Sequence, residues 1–280
     1  MSKQNLLSFL ISLIPVSFIL GTFILNLNIL ILIIVGLVLF TKGYKLKLNQ
    51  IDKLLILFFL YILFSGIWNT IEINFFNDNS NKNYYILNKS LLFLRYLLLY
   101  FSIRLIVSNK LINFKLIFYS YSLITLFVSV DIIFQFFYIK DLFGLVSPFF
   151  YKIDTGETVI YKVTGPFYDE AIAGGFIQKF ALFAFFSFFI FSKIKSVSAK
   201  VYISSTVFFI ILISIIFSKN RMPLILFILN FFIIIIVNKK LRKYLLNIFI
   251  SFLLISFITI NLSTDLKRYY NEFYFQSAKI

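Results

Sequence analysis

Cysteine and histidine are both absent from the 280 residues. Without cysteine there is no disulfide and no thiolate chemistry. Without histidine, the commonest metal ligand and the commonest general base are missing too. Charge is scarce: 14% of residues are Asp, Glu, Lys or Arg, against about 25% in soluble domains. Acids are scarcer still, 11 against 27 Lys and Arg. There is no Gly-x-x-x-x-Gly-Lys-Ser/Thr phosphate loop, which argues against an intrinsic ATP site and against an ABC-type pump. No repeat of fixed period stands out. Proline occurs 4 times and glycine 9 times, so places where they gather carry information.

What fills the chain instead is apolar: 61% of residues are hydrophobic, and the mean hydropathy is +0.96. The apolar residues come in continuous runs near 5–21, 23–40, 54–72, 87–107, 113–138, 171–192, 201–217, 222–238 and 245–262. A bilayer-spanning helix needs roughly 20 such residues. Only helices and closed barrels satisfy their own backbone in lipid, and continuous rather than alternating runs select helices. The expected fold is therefore all-α, a polytopic membrane bundle of about nine spans. The transmembrane domain is expected over 1–262, with an external loop at 139–170. The first run follows Met1-Ser2-Lys3 directly and has no small-residue cleavage site, so no cleavable leader is expected. Gly21-Thr22, after Pro15, is expected to turn the first two spans into a tight hairpin. Residues 263–280 are polar and aromatic, and read as the start of an external loop of a longer chain.

The net charge of +16 has a topological reading. With the N-terminus inside, the cytoplasmic connections are 41–53, 104–115, 193–200 and 239–243, carrying 4, 3, 3 and 4 Lys or Arg. Their only acid is Asp52. That bias follows the positive-inside rule and puts 139–170 outside. Lysine outnumbers arginine 22 to 5, as codon bias in an AT-rich genome would produce. The cations are scattered through short loops rather than gathered on one face, so no nucleic-acid partner is expected.

Ionisable groups inside spans are functional candidates by default. Arg95 lies in the fourth run, Asp131 in the fifth and Lys179 in the sixth. Gln135 follows Asp131 by one turn on the same helix face. Arg95 and Asp131 each lie roughly 10 Å deep at 1.5 Å per residue. They are at depths where they can meet, either as a pair holding the bundle or as the lining of a substrate cavity. Lys179 is an alternative partner for Asp131. Ser218-Lys219-Asn220-Arg221 forms a short turn ahead of Pro223. Proline suits the first helical turn, and a helix N-terminus beside Lys219 and Arg221 makes an anion site. Arginine adds a planar fork that fits phosphate oxygens. The plainer reading is an interfacial cation that snorkels.

The stretch Val163-Thr-Gly-Pro-Phe-Tyr-Asp-Glu-Ala-Ile-Ala-Gly-Gly-Phe176 stands apart from its greasy surroundings. Gly165-Pro166 makes a turn. Asp169 and Glu170 suit the start of a helix, either as simple caps or as groups that bind sugar hydroxyls and move protons. Gly174 and Gly175 let another helix or a ligand approach the backbone closely.

Several blocks together resemble the O-antigen ligase/polymerase family of bacterial membrane glycan transferases. They are Ile14-Pro15 through Gly21 with Asn26 to Ile31, Phe93-Leu94-Arg95-Tyr96, Asp131, Gln135, Asp141-Leu142-Phe143-Gly144, Thr164-Gly165-Pro166-Phe167-Tyr168-Asp169-Glu170 with Gly174, and Ser218-Lys219-Asn220-Arg221. Lys162 and Lys219 depart from the pattern, where Arg and Gly are usual. Family members also run longer, through a large external loop that often bears a functional His.

The resemblance implies a GT-C-like fold in the bacterial inner membrane, with a periplasmic active face. It implies an undecaprenyl-diphosphate-linked oligosaccharide as donor, membrane lipid as surroundings, other polysaccharide-assembly proteins as partners, and no cofactor or metal. It gives Arg221 the leaving diphosphate, and Asp169 or Glu170 the acceptor sugar. Arg95, Asp131, Gln135, Lys179, Lys219, Gly165, Gly174 and Gly175 would line the substrate site. Polymerase is the expected activity, with ligase as the close alternative. A flippase for lipid-linked oligosaccharides, or a membrane scaffold, is the non-enzymatic reading.

Overall fold

The computed structural model describes residues 3–76, 84–138, 140–142, 149–152, 159–167, 172–191, 194–237, 242–262, 264 and 266–267. Ten α-helices dominate: α1 (Lys3–Ser12), α2 (Ile14–Ile19), α3 (Thr22–Thr41), α4 (Gln50–Phe76), α5 (Tyr85–Ser108), α6 (Phe114–Tyr138), α7 (Ala173–Phe191), α8 (Val197–Phe217), α9 (Arg221–Val237) and α10 (Arg242–Leu262). Five described segments are long and apolar enough to cross a membrane: Thr22–Thr41, Gln50–Glu72, Tyr85–Ser108, Phe114–Tyr138 and Ala199–Phe217. Gln4–Ile19, Ala173–Phe188, Arg221–Ile236 and Leu246–Leu262 are shorter apolar helical stretches. The helices follow the nine apolar runs closely. One difference is that the first run divides into α1 and α2 at Leu13, two residues before Pro15. Proline has no N–H to give to the preceding turn.

The chain forms two compact units, Met1–Phe114 and Lys115–Ile280. In the first, Gly21 takes φ +110° and turns α2 into α3. Asn28 of α3 then donates to the Ser17 hydroxyl of α2 at 2.7 Å, both groups being buried. That bond gives two polar side chains a partner where lipid offers none. Helices α3 and α4 each pack on α5 through a glycine facing a serine. A Cβ on Gly36 would lie 2.8 Å from the Ser102 Cα, and one on Gly66 would run into the Ser90 hydroxyl. Small residues bring backbones together where no water drives association. At the other end of the chain's first helix, Ser8 accepts from the Asn113 N–H at 2.7 Å, and Gln4 donates to the Ile112 carbonyl at 3.0 Å.

Asp52, the one acid among the basic connections, has a structural role. It is the third residue of α4 and accepts from the Asn49 N–H at 2.6 Å, half of a capping box. Its other oxygen accepts from the Tyr100 hydroxyl at 2.6 Å and faces the Arg104 Nε at 3.4 Å. Tyr100 and Arg104 sit one turn apart on α5, so a single carboxylate ties the start of α4 to α5. Asp52→Ala is expected to lower the detergent unfolding midpoint clearly more than Lys53→Ala next to it. Equal midpoints for the two variants would refute this role.

In the second unit, aromatic rings do the packing. Phe208 lies 4.4 Å from Phe231 and 5.0 Å from Phe227, centroid to centroid, joining α8 to α9. Phe185 of α7 meets both Phe208 and Phe231 edge-on. Tyr121 of α6 packs on Phe180 and Phe183 of α7 at 5.2 and 4.9 Å. Phe136 of α6 stacks on Phe217 of α8 at 4.0 Å. Each such pair adds about 0.5–1.5 kcal/mol beyond its buried area.

Between α6 and α7 lies an antiparallel pair, β1 (Phe149–Lys152) and β2 (Val159–Lys162), with Phe149 opposite Lys162. It was not anticipated from the sequence. The signal was present: two aromatic and β-branched runs flank Asp154-Thr155-Gly156, a hairpin pattern.

Candidate functional site

Four separated segments of the second unit come together at one end of its helices. The first is the last two turns of α6, where Asp131 and Gln135 are both buried to 1% exposure. The second is Thr164 with the 3-10 turn Gly165–Phe167. The third is the start of α7, and the fourth is the turn from α8 into α9.

Gln135 binds the 3-10 turn to α6. Its side-chain oxygen accepts from the Thr164 N–H at 3.1 Å and the Gly165 N–H at 2.7 Å. The carbonyl is thereby assigned by its two donors. Asp131 accepts from the Leu142 N–H at 2.8 Å through one oxygen. Gly165 has φ +57°, the left-handed region that glycine adopts at no steric cost. Its missing side chain also matters: a Cβ there would lie 3.1 Å from Ile132 and 3.7 Å from both Ala173 and the second Asp131 oxygen. The sequence therefore needs glycine here twice over, for its φ and for its size. Phe167 closes the turn onto α7 by packing on Phe176 at 5.2 Å.

Three buried polar atoms of this cluster have no hydrogen-bond partner among the described residues: the second Asp131 oxygen, the Gln135 side-chain nitrogen and the Thr164 hydroxyl. Buried polar groups are normally paired, by protein, water or ligand. An acceptor, a donor and a hydroxyl suit water or the hydroxyls of a sugar.

Helix α7 then connects the cluster to the α8–α9 turn. A Cβ on Gly174 would collide with the Ser218 hydroxyl and lie 3.0 Å from Asn220. One on Gly175 would meet Pro223 at an ordinary 3.9 Å. Ser218 ends α8, and Lys219 follows at φ +54°, donating its N–H to the Ile216 carbonyl at 3.1 Å. That is the left-handed helix stop where glycine is usual, and Lys219 is itself buried to 3% exposure. Arg221 is the first residue of α9 and is half-buried.

Of the residues singled out from the sequence, Asp131, Gln135, Gly165, Gly174, Gly175, Lys219 and Arg221 belong to this end of the unit. Lys179 is exposed on α7. Arg95 belongs to the first unit, where its guanidinium donates to the Tyr96 hydroxyl at 3.1 Å and lies over the Tyr96 ring at 4.9 Å. Asp131 belongs to the second unit. Asp169 and Glu170 lie outside the described residues, as do Phe143 and Gly144. Ser218, Asn220 and Thr164 stood inside the quoted motifs without a role of their own; the structure sets Ser218 and Asn220 against Gly174 and buries the Thr164 hydroxyl.

Gln135→Leu is expected to strand two buried N–H groups. Each unsatisfied donor costs about 1–3 kcal/mol, so detergent unfolding should come markedly earlier, with Phe134→Leu as a milder control. A midpoint like that of the parent would show that Gln135 does not hold the turn.

Comparison of the chain with protein-family models, with curated proteins and with solved structures gives no match.

Proposed function

We propose that this chain is a multi-pass glycan polymerase of the bacterial inner membrane, with about nine spans and a GT-C-like bundle. It joins undecaprenyl-diphosphate-linked oligosaccharide repeat units at the periplasmic face. One observation carries this reading. Described residues of the blocks that resemble the O-antigen polymerase type, Asp131, Gln135, 141–142, 164–167, Gly174 and 218–221, gather at one end of the second unit, where Asp131, Gln135, Thr164 and Ser218 are buried.

The chemistry follows from the residue types. A hydroxyl of the acceptor repeat unit attacks the anomeric carbon of the donor glycan. A new glycosidic C–O bond forms, and the bond to the diphosphate breaks. The lipid diphosphate departs with the bonding electron pair and is held by Arg221 at the start of α9, where a cationic fork and the helix N-terminus both favour an anion. The acceptor's proton passes to a carboxylate, for which Asp169 and Glu170 are the candidates. Asp131, Gln135 and Thr164 orient sugar hydroxyls through their open valences. The donor's anomeric carbon already carries a diphosphate leaving group, so the step calls for no nucleotide or metal.

The test is reconstitution of the chain, with any continuation of its reading frame, in liposomes holding lipid-linked repeat units. A ladder of lengthening lipid-linked glycans is expected. Transfer to lipid A-core without lengthening would instead identify a ligase, and movement of repeat units across the bilayer without new bonds a flippase.

A further inference from the structure

The first unit carries a groove that the glycan chemistry does not use. It opens between α4 and α5, has a volume of about 340 Å³, and is lined by Tyr61, Ser65, Gly66, Asn69, Lys89 and Phe93 among others. Gly66 of α4 and Ser90 of α5, which meet closely, both line it. Its walls are polar on one stretch and aromatic on the next. Asn69 donates to the Ser65 hydroxyl at 3.5 Å, one turn apart on α4. Lys89 enters from the second turn of α5 with its ammonium 4.2 Å above the Tyr85 ring. The ring face carries partial negative charge and steadies the cation. Phe93 continues the wall one turn further along α5, stacked on Phe59 at 5.3 Å.

The placement of the groove narrows what fits it. Both helices are long and apolar enough to span a bilayer, and the outward faces of Tyr61, Phe64, Ile67 and Trp68 are exposed. The groove therefore opens toward acyl chains. Lys89 stands four residues into α5, roughly 6 Å along its axis, near headgroup depth. No acid is among the described residues that line the groove. A single cation, a hydroxyl, a carboxamide and an aromatic rim at that depth are the complement of a phosphate with a chain attached.

We propose that the α4–α5 groove holds the phosphate headgroup of an anionic phospholipid, with Lys89 on the phosphate, Ser65 and Asn69 on its oxygens, and Tyr61 and Phe93 against the upper acyl chain. The site lies within the first unit and does not depend on the glycan assignment.

The experiment uses the whole chain in phosphatidylcholine nanodiscs doped with phosphatidylglycerol, with bound lipid counted after detergent release by native mass spectrometry. The parent is expected to retain phosphatidylglycerol over phosphatidylcholine. Lys89→Gln is expected to weaken that retention about fivefold, the effect of one lysine near anionic lipid, while Lys53→Gln, an equal charge change on α4, leaves it intact. Asn69→Leu is expected to weaken it with the charge unchanged. Equal loss in Lys89→Gln and Lys53→Gln would mean bulk electrostatics and overturn the site. Release by millimolar inorganic phosphate, or stronger retention of a polyprenyl phosphate than of phosphatidylglycerol, would overturn the assignment to phospholipid.

Discussion

Arg221→Ala is expected to stop glycan chain extension while single lipid-linked repeat units accumulate. Removing one preorganised group that stabilises developing charge costs about 10²–10³-fold in rate, enough to collapse a ladder to its first rung. Arg221 is the first residue of α9, directly after the left-handed Lys219 and the N-terminal Asn220. In the proposed site, the start of α9 and the guanidinium fork both favour an anion. Arg221→Lys should keep the charge but lose the two-pronged geometry, and is expected to fall between parent and alanine. The readout is the length distribution of lipid-linked glycan on gels, together with the pool of unextended repeat units. A near-normal ladder in the alanine variant would remove Arg221 from the chemistry. Loss of repeat-unit delivery across the membrane, with extension unaffected, would favour a carrier.

Gly174 and Gly175 are neighbours that should answer a substitution in opposite ways. Gly174→Val places its side chain into the Ser218 hydroxyl and against Asn220. Ser218 is fully buried at the end of α8, so its side chain cannot swing into solvent. Overpacking of this kind costs about 1–3 kcal/mol, and it pushes α7 off the turn that presents Arg221. Both the unfolding midpoint and chain extension are expected to fall. Gly175→Ala meets only Pro223, at van der Waals distance, and gains helix propensity worth up to about 1 kcal/mol. It is expected to be neutral or mildly stabilising. Equal sensitivity at the two positions would contradict the packing of α7 on the α8–α9 turn.

The sequence by itself determined the helices. Long apolar runs in a chain with 14% charge leave the backbone no partner but itself, and the nine runs reappear as α1–α2 and α3 to α10 with small shifts in their ends. It also marked the polar exceptions, because Asp131, Gln135 and the Gly165-Pro166 turn contrast with everything around them. It missed the β1–β2 hairpin, whose short runs carry a far weaker signal than a membrane helix.

Tertiary structure decided what each exception does. Asp131 and Gln135 look equivalent as a pair one turn apart, yet Gln135 holds the backbone of Thr164 and Gly165 while Asp131 holds Leu142 and keeps one oxygen without a partner among the described residues. Gly174 and Gly175 are identical letters, yet only Gly174 faces a buried serine. Asp52 reads as an anomaly in a basic connection until Tyr100 and Arg104 are seen one turn apart on α5. Helix periodicity is a local property, set within a few residues. Which side chain receives which depends on contacts between residues 11 to 52 apart, and no local pattern encodes them.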